Sequence, residues 1–507
     1  MSIQVEGRAP PIAVGSPSCY TSRRRVGPLG LATMPSRASI RPSESVTEFV
    51  RSPEEDDDEA ALEEEESPHR GEPAPVPAVY PVSLPPERVD PDAVKVIKRL
   101  RSAGYAAYLV GGGVRDLLLG ARPKDFDIAT DARPQDVRRV FRNCRIIGRR
   151  FRLAHILYAD NKIIECATFR RDPEQEYVVL DPDLAPGLPQ TQSNPVRLAP
   201  VRHDVHEETD LLIRHDNHFG EPHEDAIRRD FTINGLFYDI ARGEVIDYVG
   251  GMADVERRIV RTIGEPGVRF REDPVRILRA IKFSARLDAG IAPDVYDAMV
   301  EHRGELERAA RPRVFEELFR LLRGGAAHRS MYLAWDIGVL SEILPEVACY
   351  LDDSPAGAEH TWGRLAAIDR KAEDGRLPTD IVLLGALLLG PLEEALGDDP
   401  KDFGLAYEEF MADVSERLAV PRRMKERLLL LVLSQRRMRS GKLGNLPRRE
   451  FFPEAATLFA LDCEARGEDV PGWADDPESV ADVDADEAAP KKRRRRRRRR
   501  GGGPGEA

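Results

Sequence analysis

The chain is poor in cysteine, in aromatic side chains and in long apolar runs, and each shortage removes a class of protein. Five cysteines (Cys19, Cys144, Cys166, Cys349 and Cys463) are scattered over 507 residues, odd in number and never in CxxC spacing. That excludes a disulfide framework and suits a reducing, cytoplasmic setting. No stretch of 18 apolar residues occurs, so a membrane-spanning helix is not expected. Arg23, Arg24 and Arg25 are followed by no apolar segment, so a secretory signal is not expected either. Aromatics make up 6% of the chain, too few for an extended platform on which bases stack. Apolar residues, at 41%, fall a little below the globular norm, which points to polar tails around an ordinary core.

Charge is abundant instead, and it is segregated. Acids exceed bases by 88 to 76, but they come in blocks. Residues 1–84 are rich in Pro, Ser and Arg, then acidic: Glu54 to Glu59 is an unbroken acidic run, Glu63 to Glu66 adds another, and prolines crowd Pro73 to Pro86. Such a stretch buries too little apolar surface to offset chain entropy and reads as a disordered tail. Residues 464–507 mirror it, with acids from Glu464 to Glu487 and then ten consecutive basic residues, Lys491 to Arg500. The basic run is either a solvated tail or a polyphosphate-attracting one, with the neighbouring acids as its mask.

Between the tails the periodicity is that of a folded protein. A helical pattern starts at Asp92 (Ala93, Val96, Ile97, Leu100) and Gly104 can close it. Strand Ala106–Val110, helix Val114–Leu119, strand Phe126–Ala129 and helix Pro134–Phe141 follow, then a hairpin of Ala154–Tyr158 with Ile163–Thr168. From Asp273 onward the strand signals fade and apolar residues recur at helical spacing, as in Val275, Ile277, Leu278 and Ile281 and again in Glu426–Leu433. The expected fold class is α+β: a small mixed-sheet head over residues 85–240, a helical segment over 241–325, and a helical body over 326–463.

The chemistry concentrates in Leu109-Val110-Gly111-Gly112-Gly113-Val114-Arg115-Asp116 and Asp125-Phe126-Asp127. A strand–glycine–helix turn presents backbone N–H groups to an anion, although a purely structural turn has the same look. Asp125 and Asp127, two apart on a strand, are expected on one face. Carboxylates that close repel unless a hard cation lies between them, and Mg²⁺ shared with phosphate oxygens is the natural occupant; the alternative is an exposed acidic loop. Phosphate cradle and metal clamp together imply phosphoryl or nucleotidyl transfer.

The run Gly111-Gly112-x-Val114-Arg115-Asp116-x-Leu118-Leu119-Gly120-x-x-Pro123-x-Asp125-x-Asp127 resembles the head of the class II template-independent nucleotidyltransferases, which comprise bacterial poly(A) polymerases and CCA-adding enzymes. The resemblance continues through Arg228-Arg229-Asp230-Phe231-Thr232-Ile233-Asn234 and Gly250-Gly251-x-x-Asp254-x-x-x-Arg258-Ile259-x-Arg261-Thr262-Ile263-Gly264. It then runs on to Glu272-Asp273-Pro274-x-Arg276-x-Leu278-Arg279 and Arg313-x-Phe315-Glu316-Glu317-Leu318. Gly148-Arg149-Arg150-Phe151-Arg152-Leu153-Ala154-His155 looks like the signature of the poly(A) polymerase branch, which CCA-adding relatives usually lack.

Roles follow from that resemblance. Asp125 and Asp127 would bind two Mg²⁺ ions, with Glu165 a third carboxylate unless it is merely a polar residue flanking the sheet. Gly111, Gly112 and Arg115 would hold the triphosphate. Asp230 and Asn234 would position the ribose and Arg229 a phosphate. Asp273 and Arg276, with Arg279 beyond, would read the base edge of ATP, unless the first two form an ordinary i,i+3 ion pair. Arg149, Arg150 and Arg152 would meet RNA, or form a solvated basic turn. The clusters Arg422–Arg427 and Arg436–Arg439 suit RNA phosphates or, equally, solvated helix faces.

The implied activity is a polynucleotide adenylyltransferase extending RNA 3′ ends from ATP, with RNA-decay proteins as potential partners. The rivals are a CCA-adding enzyme and a non-catalytic RNA-binding protein of the same fold. One departure is the long Pro-rich stretch Asp172–Glu221. Its histidines His203, His206, His215 and His218, with His223 beyond, are irregularly spaced and far from cysteine, which argues against zinc.

Overall fold

The computed structural model describes residues 76–148, 152–171, 218–397 and 403–476, and the backbone of 176–180 and 197–201. The strands of the head are β1 (Ala78–Pro81), β2 (Ala107–Val110), β3 (Asp127–Thr130), β4 (Cys144–Ile147), β5 (Leu153–Leu157), β6 (Ile163–Thr168), β7 (Arg170–Arg171), β8 (Glu176–Leu180), β9 (Arg197–Val201), β10 (His218–Phe219), β11 (Leu236–Asp239) and β12 (Glu244–Asp247). Eight of them form one sheet in the order β1-β12-β11-β2-β3-β6-β5-β4. Every neighbouring pair in it is antiparallel except β3 with β6. That parallel pair requires a crossover, and helix α3 (Pro134–Val140) with the β4–β5 hairpin supplies it.

Register decides which side chains reach the site. Leu109 pairs with Ile128, and Ile128 with Cys166, so these three face the main hydrophobic core. Helix α1 (Pro91–Ser102) covers this face with Ala93, Val96, Ile97 and Leu100, all buried. Asp90 caps its first turn, accepting from the Asp92 N–H at 2.8 Å, and Gly104 closes it with φ +93°. One residue along, Val110, Asp127 and Glu165 lie abreast and point to the opposite face. There Val110, Ala129, Phe169 and Phe237 form a second, smaller core, with the two acids beside it.

The remaining helices are α2 (Gly112–Leu118) in the head, α4 (Pro222–Ile227) and α5 (Gly251–Arg257) around it, then α6 (Pro266–Glu272), α7 (Val275–Leu287), α8 (Pro293–His302) and α9 (Arg311–Leu322). The body holds α10 (Ala327–Asp336), α11 (Val339–Ile343), α12 (Pro345–Asp353), α13 (Pro355–Glu373), α14 (Asp380–Leu396), α15 (Phe403–Leu418), α16 (Arg422–Arg439), α17 (Phe452–Arg466) and α18 (Gly472–Asp475). α14 is apolar all round, and α13, α15, α16 and α17 pack about it. Among the described residues no helix is long and apolar enough to cross a membrane.

Three expected boundaries are corrected. The tail expected over 1–84 ends earlier: Ala78–Pro81 pairs with β12, and Leu84 is buried in the core. The head expected to stop at 240 includes β12, because β11 and β12 form a hairpin whose outer strand pairs β1. The tail expected from 464 begins later, since Ala474 is buried and Trp473 stacks on Phe459 at 5.3 Å. A few prolines and acids beside apolar residues masked these edges. The long Asp172–Glu221 stretch contains the antiparallel pair β8–β9 rather than a bare loop. Its His203, His206 and His215 lie outside the described residues, as do most of both charged tails.

Candidate functional site

A cleft of about 730 Å³ opens between the sheet's second face and the helices α7 and α9. Its lining joins Gly111, Gly112, Arg115 and Asp127 to Arg228, Arg229, Asp230 and Asn234, and these to Asp273, Arg276, Arg279, Phe283, Arg313 and Glu317. Such a volume accommodates a nucleotide.

The glycine turn is shaped by contact. Gly111 has φ +70°, a conformation that β-carbon-bearing residues rarely adopt. A Cβ on Gly113 would meet the Asp125 carbonyl oxygen at 3.3 Å, so a bulkier side chain would push apart the turn and the acidic segment. A Cβ on Gly111 would come within 3.1 Å of Arg229 Nη1, which places that guanidinium directly over the turn.

Asp127 begins β3, and its Cα partner on β6 is Glu165. His155 on β5 continues the row, its Nε2 3.4 Å from Glu165 Oε1. Asp127 is accessible from the cleft yet set low within it, where protein atoms displace much of the water. That burial, reinforced by Glu165 and Asp125 and opposed by Arg229, pushes its carboxyl up to about 6. Asp125 is exposed and precedes the strand, so the expectation that both acids stand on one strand is corrected; its carbonyl faces Gly113, and its charge still acts on Asp127. Among the described residues no three His, Cys, Asp or Glu side chains converge as a complete metal cage. The donor set fits a cation that keeps outside ligands: neighbouring carboxylates that raise the proton affinity of Asp127, with room for phosphate oxygens. Mg²⁺ bound through one or two carboxylates plus phosphate has those requirements.

The floor of the cleft is a lattice of arginines and carboxylates. Asp225, buried, accepts from Arg228 Nε at 3.0 Å and from Arg229 Nη2 at 2.9 Å. Arg229 also donates to the Asn234 carbonyl at 3.2 Å. Asp230 accepts from Arg279 Nε at 2.7 Å, Asn234 Nδ2 at 3.0 Å and the Phe231 N–H at 2.9 Å. Burial works against its charge, but Arg279 and the Asn234 hydrogen bond outweigh it and hold the Asp230 carboxyl well below the usual range. Asn234 accepts in turn from Arg115 Nη1 at 2.6 Å. Arg115 is buried, with Nε and Nη2 on Asp116 at 2.9 and 2.6 Å and its guanidinium over the Phe283 ring. It therefore borders the cleft as a buttress between α2 and α7 rather than as a free clamp.

The expected Asp273–Arg276 arrangement is also corrected. Asp273 is not on the helix of Arg276: it is extended, with φ −148° and ψ 91°, between α6 and α7. The following proline disfavours a helical conformation there. The two residues make no ion pair with each other in the structure. Arg276 Nη1 is anchored on Glu272 at 2.9 Å, beside Arg269, while Arg313 Nη2 donates to Asp273 at 2.8 Å. Both still line the cleft, each oriented by a different partner. Glu317 joins α9 to α7, accepting from Lys282 Nζ at 2.9 Å and Arg320 Nη1 at 2.7 Å. Burial and the adjacent Arg279 push the Lys282 ammonium down to about 8 against the pull of Glu317.

Sequence reasoning missed the anchors Asp225, Glu272, Arg313 and Glu317. The last three stand inside the motifs quoted above and Asp225 just before one of them, but spacing alone does not tell a carboxylate that faces ligand from one that holds an arginine. Arg152 is exposed, and its carbonyl accepts from Arg170 at 3.2 Å. Arg149 and Arg150 lie outside the described residues. In the body, Arg422 pairs with Glu426, Arg427 with Glu454 and Arg439 with the buried Asp462, so part of each basic cluster is already engaged.

The sequence family described as "Poly A polymerase head domain" matches residues 107–261, and that described as "Probable RNA and SrmB- binding site of polymerase A" matches residues 290–351. Poly(A) polymerase I of Salmonella typhimurium is 37% identical over 349 residues, covering 66% of this chain and 70% of the relative. Poly(A) polymerase I of Escherichia coli is 36% identical over 395 residues, covering 74% and 79%. The crystal structure of the Bacillus stearothermophilus CCA-adding enzyme in complex with CTP shares the fold, with a TM-score of 0.53 and 22% identity over 78% of this chain and 83% of that one.

Proposed function

The chain belongs to the poly(A) polymerase family, and from that premise we propose that it is a template-independent polynucleotide adenylyltransferase, transferring AMP from ATP to RNA 3′ ends with release of pyrophosphate. The observation that carries the reading is one cleft with Asp127 at its sheet end and, at its helical end, a carboxylate and a guanidinium, Asp273 and Arg276, each fixed by its own partner. Asp273 accepts from the adenine amino group while Arg276 donates to the ring nitrogen beside it, so the protein reads the base without a template. The Asp230–Asn234–Arg279 lattice holds the sugar side, and Arg229 faces the triphosphate over the glycine turn.

Asp125 and Asp127, with Glu165 alongside, are the residues that would hold Mg²⁺. When bound, Mg²⁺ neutralises the triphosphate and activates the RNA 3′-OH for in-line displacement. The RNA approaches over the helical segment of residues 290–351, and contacts there and on the exposed arginines of α16 position its backbone without specifying sequence. RNA-decay proteins are the natural partners, and the cytoplasm, where ATP and RNA ends meet, is the setting.

The test is an RNA primer incubated with each nucleotide alone and with all four. A long ladder from ATP alone supports the reading. A short C, C, A product from mixed nucleotides makes this a CCA-adding enzyme, and no extension with any nucleotide makes it a binding protein on the same fold.

A further inference from the structure

The helical body carries an open aromatic cluster outside the nucleotide cleft. On α10, Tyr332 is 46% exposed, and its ring lies 5.7 Å from Trp335 and 5.8 Å from Trp362 of α13. Trp335 and Trp362 are 6.2 Å apart, and His328 stands edge-on to Trp362 at 5.8 Å. Two of the chain's three tryptophans thus share one partly open face.

The rim of that face is acidic. Asp352 accepts from Trp335 Nε1 at 2.9 Å, Asp336 follows Trp335 directly, and Glu359 precedes Trp362 by one helical turn. With Asp353 these carboxylates are exposed, whereas the exposed cation of α10, Arg329, already pairs with Asp288. Aromatic faces attract cations, and a carboxylate rim repels phosphate. The face is therefore ill suited to RNA and well suited to guanidinium groups, which stack flat on an indole while their edge pairs with a carboxylate.

We propose that this face docks the chain's own basic segment, Lys491–Arg500. The segment supplies ten cations, eight of them arginine, and the six acids between it and α18 (Asp476, Glu478, Asp482, Asp484, Asp486 and Glu487) offset only part of that charge. Its attachment is in the same helical bundle. α18 is seated on α17 through Trp473, and α17 meets α13 one residue from Trp362, where a Cβ on Gly363 would come within 2.9 Å of the Ala465 Cα. Residues 477–490 form the tether, and 14 residues reach at most about 50 Å. For a random coil of 14 residues the r.m.s. span is roughly 20 Å and the effective concentration on the order of millimolar, so individually weak contacts suffice. Docking holds the arginines away from RNA phosphates until RNA outcompetes the face for them. This inference does not depend on the adenylation chemistry.

The experiment uses the full chain with Tyr332→p-benzoylphenylalanine, irradiated and mapped by mass spectrometry. The expected result is cross-linking to the peptide that contains residues 491–500, with a yield unchanged on dilution because the contact is within one chain. The yield should collapse near about 1 M salt, where screening acts within about 3 Å, and when all ten basic residues are replaced by glutamine. Cross-links to an added RNA oligonucleotide instead, to a second copy of the chain, or unchanged after the glutamine replacement overturn the proposal. Tryptophan fluorescence of a Trp473→Phe chain gives an independent reading from Trp335 and Trp362. The natural and glutamine-tailed forms should differ at low salt and converge at high salt, and identical spectra throughout overturn the proposal as well.

Discussion

Asp230 is the node on which the cleft's preorganisation is most exposed to test. Its carboxylate is nine-tenths buried and accepts from Arg279, Asn234 and its neighbour's backbone N–H. Asp230→Asn keeps the shape but removes the charge, and one face of the new amide then points N–H groups at Arg279 or at Asn234. Hydrogen bonds to a charged group contribute about 1.5–3 kcal/mol each, and breaking a fully buried pair costs about 3–5 kcal/mol. Arg279 keeps a 29% exposed side chain and a second carboxylate, Glu317, at 3.9 Å, which reduces the loss. A net cost of about 2–3 kcal/mol follows, or roughly 30- to 150-fold in an equilibrium or rate constant.

Because Asn234 passes the disturbance to Arg115, the expected readout is a fall of that size in kcat/KM for ATP in a single-nucleotide primer-extension assay, together with a lower Tm. The Asp230 carboxyl is depressed in the folded state, so its contribution is fully present above the ordinary carboxylate range, near pH 4, and is lost as pH falls through its lower folded value. The stability gap between variant and wild type should therefore be constant across neutral pH and close only in acid. A double-mutant cycle with Arg279→Gln should be strongly non-additive. A correctly folded Asp230→Asn enzyme within threefold of wild-type kcat/KM, or additive in the cycle, would show that Arg279 and Asn234 hold their places without the carboxylate.

Asp125→Asn or Asp127→Asn should reduce adenylation by about 10² or more with an unchanged circular dichroism spectrum, and EDTA should abolish wild-type activity until Mg²⁺ is restored. Near-normal turnover by both variants would move the metal site elsewhere. Arg276→Ala should narrow the preference for ATP over other nucleotides, read as a ratio of kcat/KM values; an undiminished ratio places base reading on other groups. Gly251→Ala should lower Tm, since its Cβ would sit 2.1 Å from the Thr232 carbonyl oxygen and overpacking of this kind commonly costs about 1–3 kcal/mol. Lys282, pushed down to about 8, binds fewer protons folded than unfolded above that pH, so stability gains a rising component between about pH 8 and 10. Lys282→Met should remove that component from urea titrations compared across this range.

Much of the head was legible from the residues, because its elements declare themselves locally. Helix α1 has an aspartate cap, an apolar stripe and a closing glycine, and the β5–β6 hairpin is two apolar runs around a turn. The parallel pairing of β3 with β6 was not legible, since it joins segments more than thirty residues apart and depends on where the intervening helix and hairpin pack. Nor was the edge strand β1, whose few residues carry two prolines' neighbourhood and gain their stability only from pairing with β12. The aromatic face of the body is a further case. Tyr332, Trp335 and Trp362 are a small share of a chain poor in aromatics, and only the packing of α10 against α13 gathers them.

The division at the site has one physical cause. Residue types and their order determined what chemistry is available: a glycine turn beside paired acids, then arginines and carboxylates in ordered motifs that name the family. They could not determine which arginine meets which acid, because a carboxylate's partner is set by distance across the fold and not along the chain. Asp273 and Arg276 are neighbours in sequence, but Asp273 is held by Arg313, 40 residues on, and Arg115 by Asn234, which is 119 residues away. In a low-dielectric floor each buried charge must be matched by a partner, and only the tertiary structure supplies the pairing. The sequence by itself determined the family and the residue types on offer; packing decided which of them line the cleft and which hold the others still.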